Sequence, residues 1–281
     1  MFQRLARRLE FKYRIDERGA AEVRSFVRGF LELDRYGVDG AESGYSVNSC
    51  YLDSRDLHTF WHTVNGSRDR FKLRVRTYGD GLGDTAFLEV KRRVDGFIEK
   101  SRALVCRTSV EGLLGGRLPT ESDLVKPIAE QMEAAESFVR SVEQIRAVPT
   151  AFVRYRREAW CGDEGDDRLT MDREVCVWPV SGLCWEGIPS IEPARPFAET
   201  VILEMKFSNG KPRWFTDIER VLGLERTSAA KYCDGILTRG IERFSPEGAI
   251  PPVAESVGGE DTPGRGRARR FVPVSGLGGR V

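Results

Sequence analysis

The residues best equipped for chemistry in this chain occupy alternate positions of strand-like segments. In residues 68–78, RDRFKLRVRTY, Arg70, Lys72, Arg74 and Arg76 share one face, backed by Phe71, Leu73 and Val75. Cations about 6.5–7 Å apart along one strand face repel one another unless an anion lies among them. The pattern recurs in Glu89, Lys91 and Arg93, in Lys100 and Arg102, in Arg8, Glu10, Lys12 and Arg14, and in Glu204 with Lys206. Arginine offers a planar fork for bidentate phosphate contact, and lysine a compact point charge. Glutamates among such cations repel a phosphate, but they suit Mn2+ or Mg2+, which bridges carboxylate to phosphate oxygen. The Glu-x-Lys triplets at Glu10–Lys12, Glu89–Lys91 and Glu204–Lys206 each fall inside a strand and together point to a metal–triphosphate site.

Those side chains need a sheet to hold them. Period-2 alternation predicts strands at 8–15, 45–53, 68–78, 85–92, 97–105, 150–160, 168–177 and 200–207. Helical spacing predicts helices at 17–33, 55–64, 213–222 and 228–239, and 124–148 is mainly helical. Turns at Gly79-Asp80-Gly81 and Asp95-Gly96 join three successive strands into an antiparallel meander. The expected class is α+β: an antiparallel sheet curled into a barrel, with charged faces lining a polar, basic lumen and helices packed outside over the apolar faces. A lumen so rich in Arg and Lys calls for a polyanion. The folded domain is expected over 1–243, and the Gly/Pro-rich stretch 244–281 reads as a disordered tail.

Composition removes other classes. The 281 residues carry 44 basic and 43 acidic side chains, a net charge of +1, which argues against a bulk cationic coat for nucleic acid. The cations alternate with core residues inside strands, and no exposed basic helix stands out, so no nucleic-acid partner is expected. Only 8 of the basic residues are Lys, so each lysine position carries information. No apolar run approaches the roughly 18–20 residues of a membrane span. The first residues lack the apolar core of a secretory signal, and the six cysteines form no CxxC pair, so the chain reads as a cytoplasmic protein with reduced thiols. His58 and His62 are spaced for one helical face, but two histidines cannot make a three-His zinc site, and a satisfied pair is expected.

Taken together, RLEFKYRI, NSCYLDSRDLHTFWHTVNG, RFKLRVRTYG, FLEVKRR, EKSR, AFVRYRREAW, RLTMD, VILEMKF and TSAAKYCDGI resemble the triphosphate tunnel metalloenzymes of the CYTH-like superfamily. Within them the chain is most similar to the VTC-type domain of polyphosphate polymerases in its bacterial stand-alone form. The resemblance runs from about residue 8 to 240. It implies an eight-stranded antiparallel β-tunnel that transfers the terminal phosphoryl group of ATP to a growing inorganic polyphosphate chain, with Mn2+ or Mg2+ as cofactor. By resemblance, Lys12, Arg74, Arg76, Lys91, Lys100 and Glu204 carry the reaction. Arg102, Tyr155, Arg157, Arg168, Lys206 and Lys231 hold the nucleotide and polyphosphate. Glu204, with Glu10 and Glu89, takes the metal.

Three positions depart from the family pattern. Ala230 stands where a Ser normally precedes the tunnel Lys, Arg93 replaces a His, and Arg8 replaces the first Glu of the hydrolase branches. Two further readings stay open: a triphosphatase of the same fold, and a non-catalytic polyphosphate-binding module. The chain has no membrane span of its own, so any coupling to transport would need a separate membrane partner.

Overall fold

The structure, a computed structural model, describes residues 9–34, 44–81, 83–94, 97–162, 167–185, 187–207 and 210–249. The strands are β1 (Leu9–Ile15), β2 (Glu32–Leu33), β3 (Tyr45–Asp53), β4 (Arg70–Tyr78), β5 (Thr85–Val94), β6 (Phe97–Cys106), β7 (Val148–Cys161), β8 (Arg168–Pro179) and β9 (Val201–Phe207). The helices are α1 (Glu17–Val27), α2 (His58–Val64), α3 (Val110–Leu114), α4 (Ala129–Gln144), α5 (Arg213–Val221) and α6 (Lys231–Arg239). Eight strands form one continuous path, β1-β9-β8-β7-β3-β4-β5-β6, and β2 pairs separately with β7. Every pair is antiparallel. The sheet curls far enough for Lys91 on β5 to reach Glu10 on β1, the opposite end of the path, at 3.1 Å.

Alternation decides which face each side chain takes. On the convex face, α4 buries Ala135, Phe138, Val139 and Val142 against Leu73, Leu88, Val90, Ala103 and Val105. Helices α1 and α5 cover Tyr13, Leu169, Met171, Leu203, Met205 and Phe207 in the same way. Each large apolar side chain so buried contributes on the order of 1.5–3 kcal/mol. Helices α2 and α6 sit differently. Their Phe60, Tyr232 and Ile236 pack on Val47, Val153 and Val177, which share strand parity with the charges further along, so they close off part of the concave face.

A bulge in β8 makes this division possible. The register between β7 and β8 slips between Arg154 and Arg156, and Glu174 adopts φ 55°. An extra residue in one strand shifts the parity beyond it. Asp172 and Val177, an odd number of positions apart, therefore face the same side, opposite Arg157 and Val153 respectively.

Several expected element ends move, three of them for a clear local reason. Helix α1 stops at Val27, because Glu32 and Leu33 pair with Cys161 and Trp160 instead of extending the helix. Helix α4 starts at Ala129, because Pro127 disfavours helical backbone just before it and Leu124 bridges Val105. Helix α2 starts at His58, after Leu57 turns through φ 58°, and its cap is not Ser54 alone. Asp53, the last residue of β3, accepts from Thr59 N at 2.8 Å, Phe60 N at 3.0 Å and Thr59 Oγ1 at 2.8 Å.

Residues 244–249, read from sequence as the start of the tail, dock on α2. Trp61 Nε1 donates to Gly248 O at 2.9 Å, and Ser245 Oγ donates to Arg55 O. The rest of the expected tail, residues 250–281, lies outside the described residues, as does Arg8. No helix among the described residues is long and apolar enough to cross a membrane.

Candidate functional site: a cationic lumen

Strand register turns the separate sequence motifs into ladders across the concave face. Arg74, Glu89 and Arg102 stand opposite one another on β4, β5 and β6, and Lys72, Lys91 and Lys100 form the next rung. Across β8, β9 and β1 the rungs are Arg168, Lys206 and Glu10, then Thr170, Glu204 and Lys12. Three lysines directly opposite one another are destabilising by themselves. Their ammonium groups diverge to different partners: Lys72 to Cys233 Sγ at 3.6 Å, Lys91 to Glu10 and Lys100 to Glu89.

Three carboxylate nodes organise the cations. Glu89, almost fully buried, lies 2.5 Å from Arg74 Nε, 3.6 Å from Arg76 Nη1, 2.5 Å from Lys100 Nζ and 3.3 Å from Arg102 Nε. Burial alone would raise its carboxyl, but Arg74, Arg76 and Lys100 together hold it far below the usual range. The second node is Glu10 with Glu204. Glu10 reaches Lys12 at 3.2 Å, Lys91 at 3.1 Å and Lys206 at 3.9 Å, and Glu204 reaches Lys206 at 2.5 Å. Burial and the Glu204 charge push Glu10 up, while Lys91, Lys206 and Lys12 bring it below its ordinary value. Burial likewise opposes ionisation of Glu204, and Lys206, Lys12, Arg157 and Lys231 overcome it.

The carboxylate of the third node, Asp172, was missed by sequence reasoning. Asp172 accepts a bidentate pair from Arg157 Nε and Nη2 at 2.7 and 2.8 Å, and its Oδ2 lies 2.7 Å from Lys231 Nζ. Burial raises its carboxyl, and the two cations bring it down to about 2. Tyr155 lies beside this node, 5.3 Å from the Arg157 guanidinium and 4.8 Å from Lys231. The RLTMD segment places Asp172 on the same strand face as Arg168 and Thr170 by simple alternation, so a local signal for it was present.

Nine cations therefore share four carboxylates on one concave surface. Two of them carry the electrostatic cost openly. Burial depresses the Lys91 ammonium, and partial burial, together with Arg74 and Arg102, lowers Lys100 to about 7 despite Glu89, although the Lys100 side chain stays 42% exposed. Tyr51, also missed, has its hydroxyl 3.0 Å from Arg74 Nη1 and its ring stacked on Tyr232 at 4.9 Å. Burial raises its phenol, but Arg74, Arg76 and Lys72 pull it down to about 8.

Of the sequence-derived site residues, Lys12, Arg74, Arg76, Lys91, Lys100, Arg102, Tyr155, Arg157, Lys206, Lys231, Glu10, Glu89 and Glu204 all join these three nodes. Arg168 shares the lumen parity, yet its Nη2 turns to Asp34 at 2.7 Å and Tyr45 OH at 3.4 Å. At Ala230 the missing hydroxyl leaves a backbone contact: Ala230 N donates to Asp234 Oδ2 at 2.8 Å as α6 begins. His58 and His62 stack on each other at 4.1 Å, away from the nodes.

The carboxylates also bear on metal binding. Glu89 has both oxygens engaged by cations. Glu10 and Glu204 form the other pair, close enough for one charge to oppose the other. No cluster of three or more His, Cys, Asp or Glu suited to a metal occurs among the described residues. One or two carboxylates completed by phosphate oxygens and water are a normal Mg2+ arrangement, so Glu204 with Glu10 fits an ion that a phosphate chain helps to hold.

Comparisons with known proteins bear on the same segment. The VTC domain family model matches residues 7–239. A search of curated proteins finds no match. Among solved structures, the PH1819 protein from Pyrococcus horikoshii OT3 is similar at 12% identity and a TM-score of 0.40, over 83% of this chain and 99% of that one.

Proposed function

This chain belongs to the VTC domain family, and we propose that it is a polyphosphate polymerase transferring the terminal phosphoryl group of ATP to inorganic polyphosphate. The observation that carries the reading is the surplus of nine cations over four carboxylates on one concave face. A fold bears that repulsion at no gain unless a polyanion enters.

Phosphoryl transfer needs alignment and neutralisation of charge more than covalent help. Arg74, Arg76, Lys100 and Arg102 grip non-bridging oxygens from one wall, with Glu89 spacing them. Lys12, Lys91 and Lys206 grip from the other wall, and Arg157 and Lys231 extend the track from Asp172. Glu204, assisted by Glu10, is the carboxylate that would hold Mn2+ or Mg2+. The ion, when bound, neutralises charge developing on the transferred phosphoryl group. The acceptor is the terminal oxyanion of a phosphate chain and needs no proton removed, which fits a lumen without histidine.

The test is incubation with ATP and Mn2+, followed by size analysis of the product on a gel. Long-chain polyphosphate is expected, lost on chelation and lost in Glu204→Gln, with tripolyphosphate binding retained in both cases. Orthophosphate release without chain growth would instead indicate a triphosphatase. Binding without turnover would indicate a binding module.

A further inference from the structure

On the convex side of β3, β4 and β7, a second hollow of about 360 Å³ opens. Asn48, Cys50, Val75 and Thr77 line it, and these alternate with the lumen residues Ser49, Tyr51, Arg74 and Arg76. The segment after β8 contributes Leu183, Trp185 and Ile188, which line it together with Phe152. A volume of this size suits a small molecule rather than a polymer.

Two guanidinium groups reach the hollow, and they differ. Arg154 is neutralised, with Nη2 at 2.6 Å from Asp80 Oδ1 and 3.2 Å from Ser46 Oγ. Arg107 is not. Its Nε is shut off from solvent without an acceptor, and among the described residues its side chain has no ion pair. Its guanidinium stands 5.9 Å from the Trp185 ring. A buried donor without a partner is rare in native proteins and calls for an explanation. The two thiols nearby add no negative charge, since burial raises both Cys50 and Cys184.

A cation without an ion pair among the described residues, beside an indole and between aliphatic and aromatic walls, matches a planar apolar body that carries one anionic group. We propose that this hollow binds a small aromatic anion, its ring against Trp185 and its phosphate or carboxylate on Arg107. Nucleoside monophosphates and free aromatic carboxylates share this chemistry.

Calorimetric titration of the full chain separates them, using AMP, indole-3-carboxylate, adenosine and inorganic phosphate as probes. One of the two aromatic anions is expected to bind at a single site, at least about tenfold more tightly than adenosine or phosphate alone. Tighter AMP identifies a nucleotide site, and tighter indole-3-carboxylate identifies a site for free aromatic acids. Binding should survive Lys12→Ala, which disarms the tunnel, and fall about tenfold or more in Arg107→Ala and Trp185→Ala. Trp185→Phe, which keeps an aromatic ring, should retain most of it, and thermal melts check that each variant is folded. Absence of saturable binding by either anion at millimolar concentration overturns the proposal. So does binding that persists in Arg107→Ala or vanishes in Lys12→Ala.

Discussion

Replacing Glu89 by Gln separates two roles for this carboxylate, metal ligand and spacer of cations. Its side chain is 1% exposed and touches Arg74, Arg76, Lys100 and Arg102. Gln keeps the shape and removes the charge, leaving four cations without their shared anion. Breaking a buried ion pair from one side costs about 3–5 kcal/mol. In a domain of this size each kcal/mol moves the melting temperature by about 2–4 °C, so the unliganded variant should melt on the order of 6–20 °C lower. Tripolyphosphate would supply the missing negative charge, so it should raise the melting temperature of Glu89→Gln by more than it raises that of the wild type. The assay is thermal unfolding with and without tripolyphosphate, in the absence of divalent metal. An unliganded melting temperature unchanged by the substitution, or an equal ligand-induced rise in both proteins, would refute the spacer role. A metal ligand would instead show itself as a raised Mn2+ requirement with little change in unliganded stability.

Three further outcomes follow from the packing and the charges. Lys100 is pushed down to about 7 by burial, with Glu89 opposing and Arg74 and Arg102 assisting. A bound anion raises it, so tripolyphosphate binding should take up a proton and weaken as pH rises above about 7, by at most about one log unit per pH unit. Titrations in buffers of different ionisation enthalpy measure the uptake, which Lys100→Arg should abolish; a pH-independent affinity in the wild type would contradict the shift. By the same linkage, the unliganded fold should gain stability from this group as pH rises from about 7 towards 10.5, because the unfolded chain binds more protons there. Gly235→Ala would ordinarily stabilise a helix by about 1 kcal/mol. In α6 the added Cβ would lie 2.4 Å from Val177 Cγ2, so overpacking should destabilise the protein by about 1–3 kcal/mol. It should also weaken polyphosphate binding by shifting Lys231 off Asp172. Denaturant unfolding that shows equal or greater stability would mean that α6 moves away freely.

Much of the site was legible because strand alternation is a local property. Once residues 70–76 are a strand, Arg70, Lys72, Arg74 and Arg76 must share a face, whatever the rest of the chain does. Thirteen of the fourteen residues on the three nodes could therefore be named from periodicity and family resemblance, Asp172 being the exception. The residues missed were those whose partners come from distant segments. Asp172 shares a strand face with Arg168 by local alternation, but Arg157 and Lys231, which it binds, reach it only in the fold. Asp53 reads as the end of a strand, yet it caps α2 and accepts from Tyr232 OH at 2.7 Å, which ties α6 and its Lys231 to the sheet. Tyr51 lies in the strand at 45–53, and its place beside Arg74 follows from the β3–β4 register.

Sequence alone determined most of the elements, the faces that carry charge and the class of ligand they imply, because propensity, alternation and like-charge repulsion act over a few residues. Tertiary structure decided which charges meet. Glu89 gathers cations from β4, β5 and β6, Glu10 answers Lys91 from the opposite end of the sheet, and Asp172 binds Arg157 to a helix that begins 59 positions later, at Lys231. Ion-pair energy depends on distance and desolvation, and both are set only when the sheet curls and its interior closes off from water.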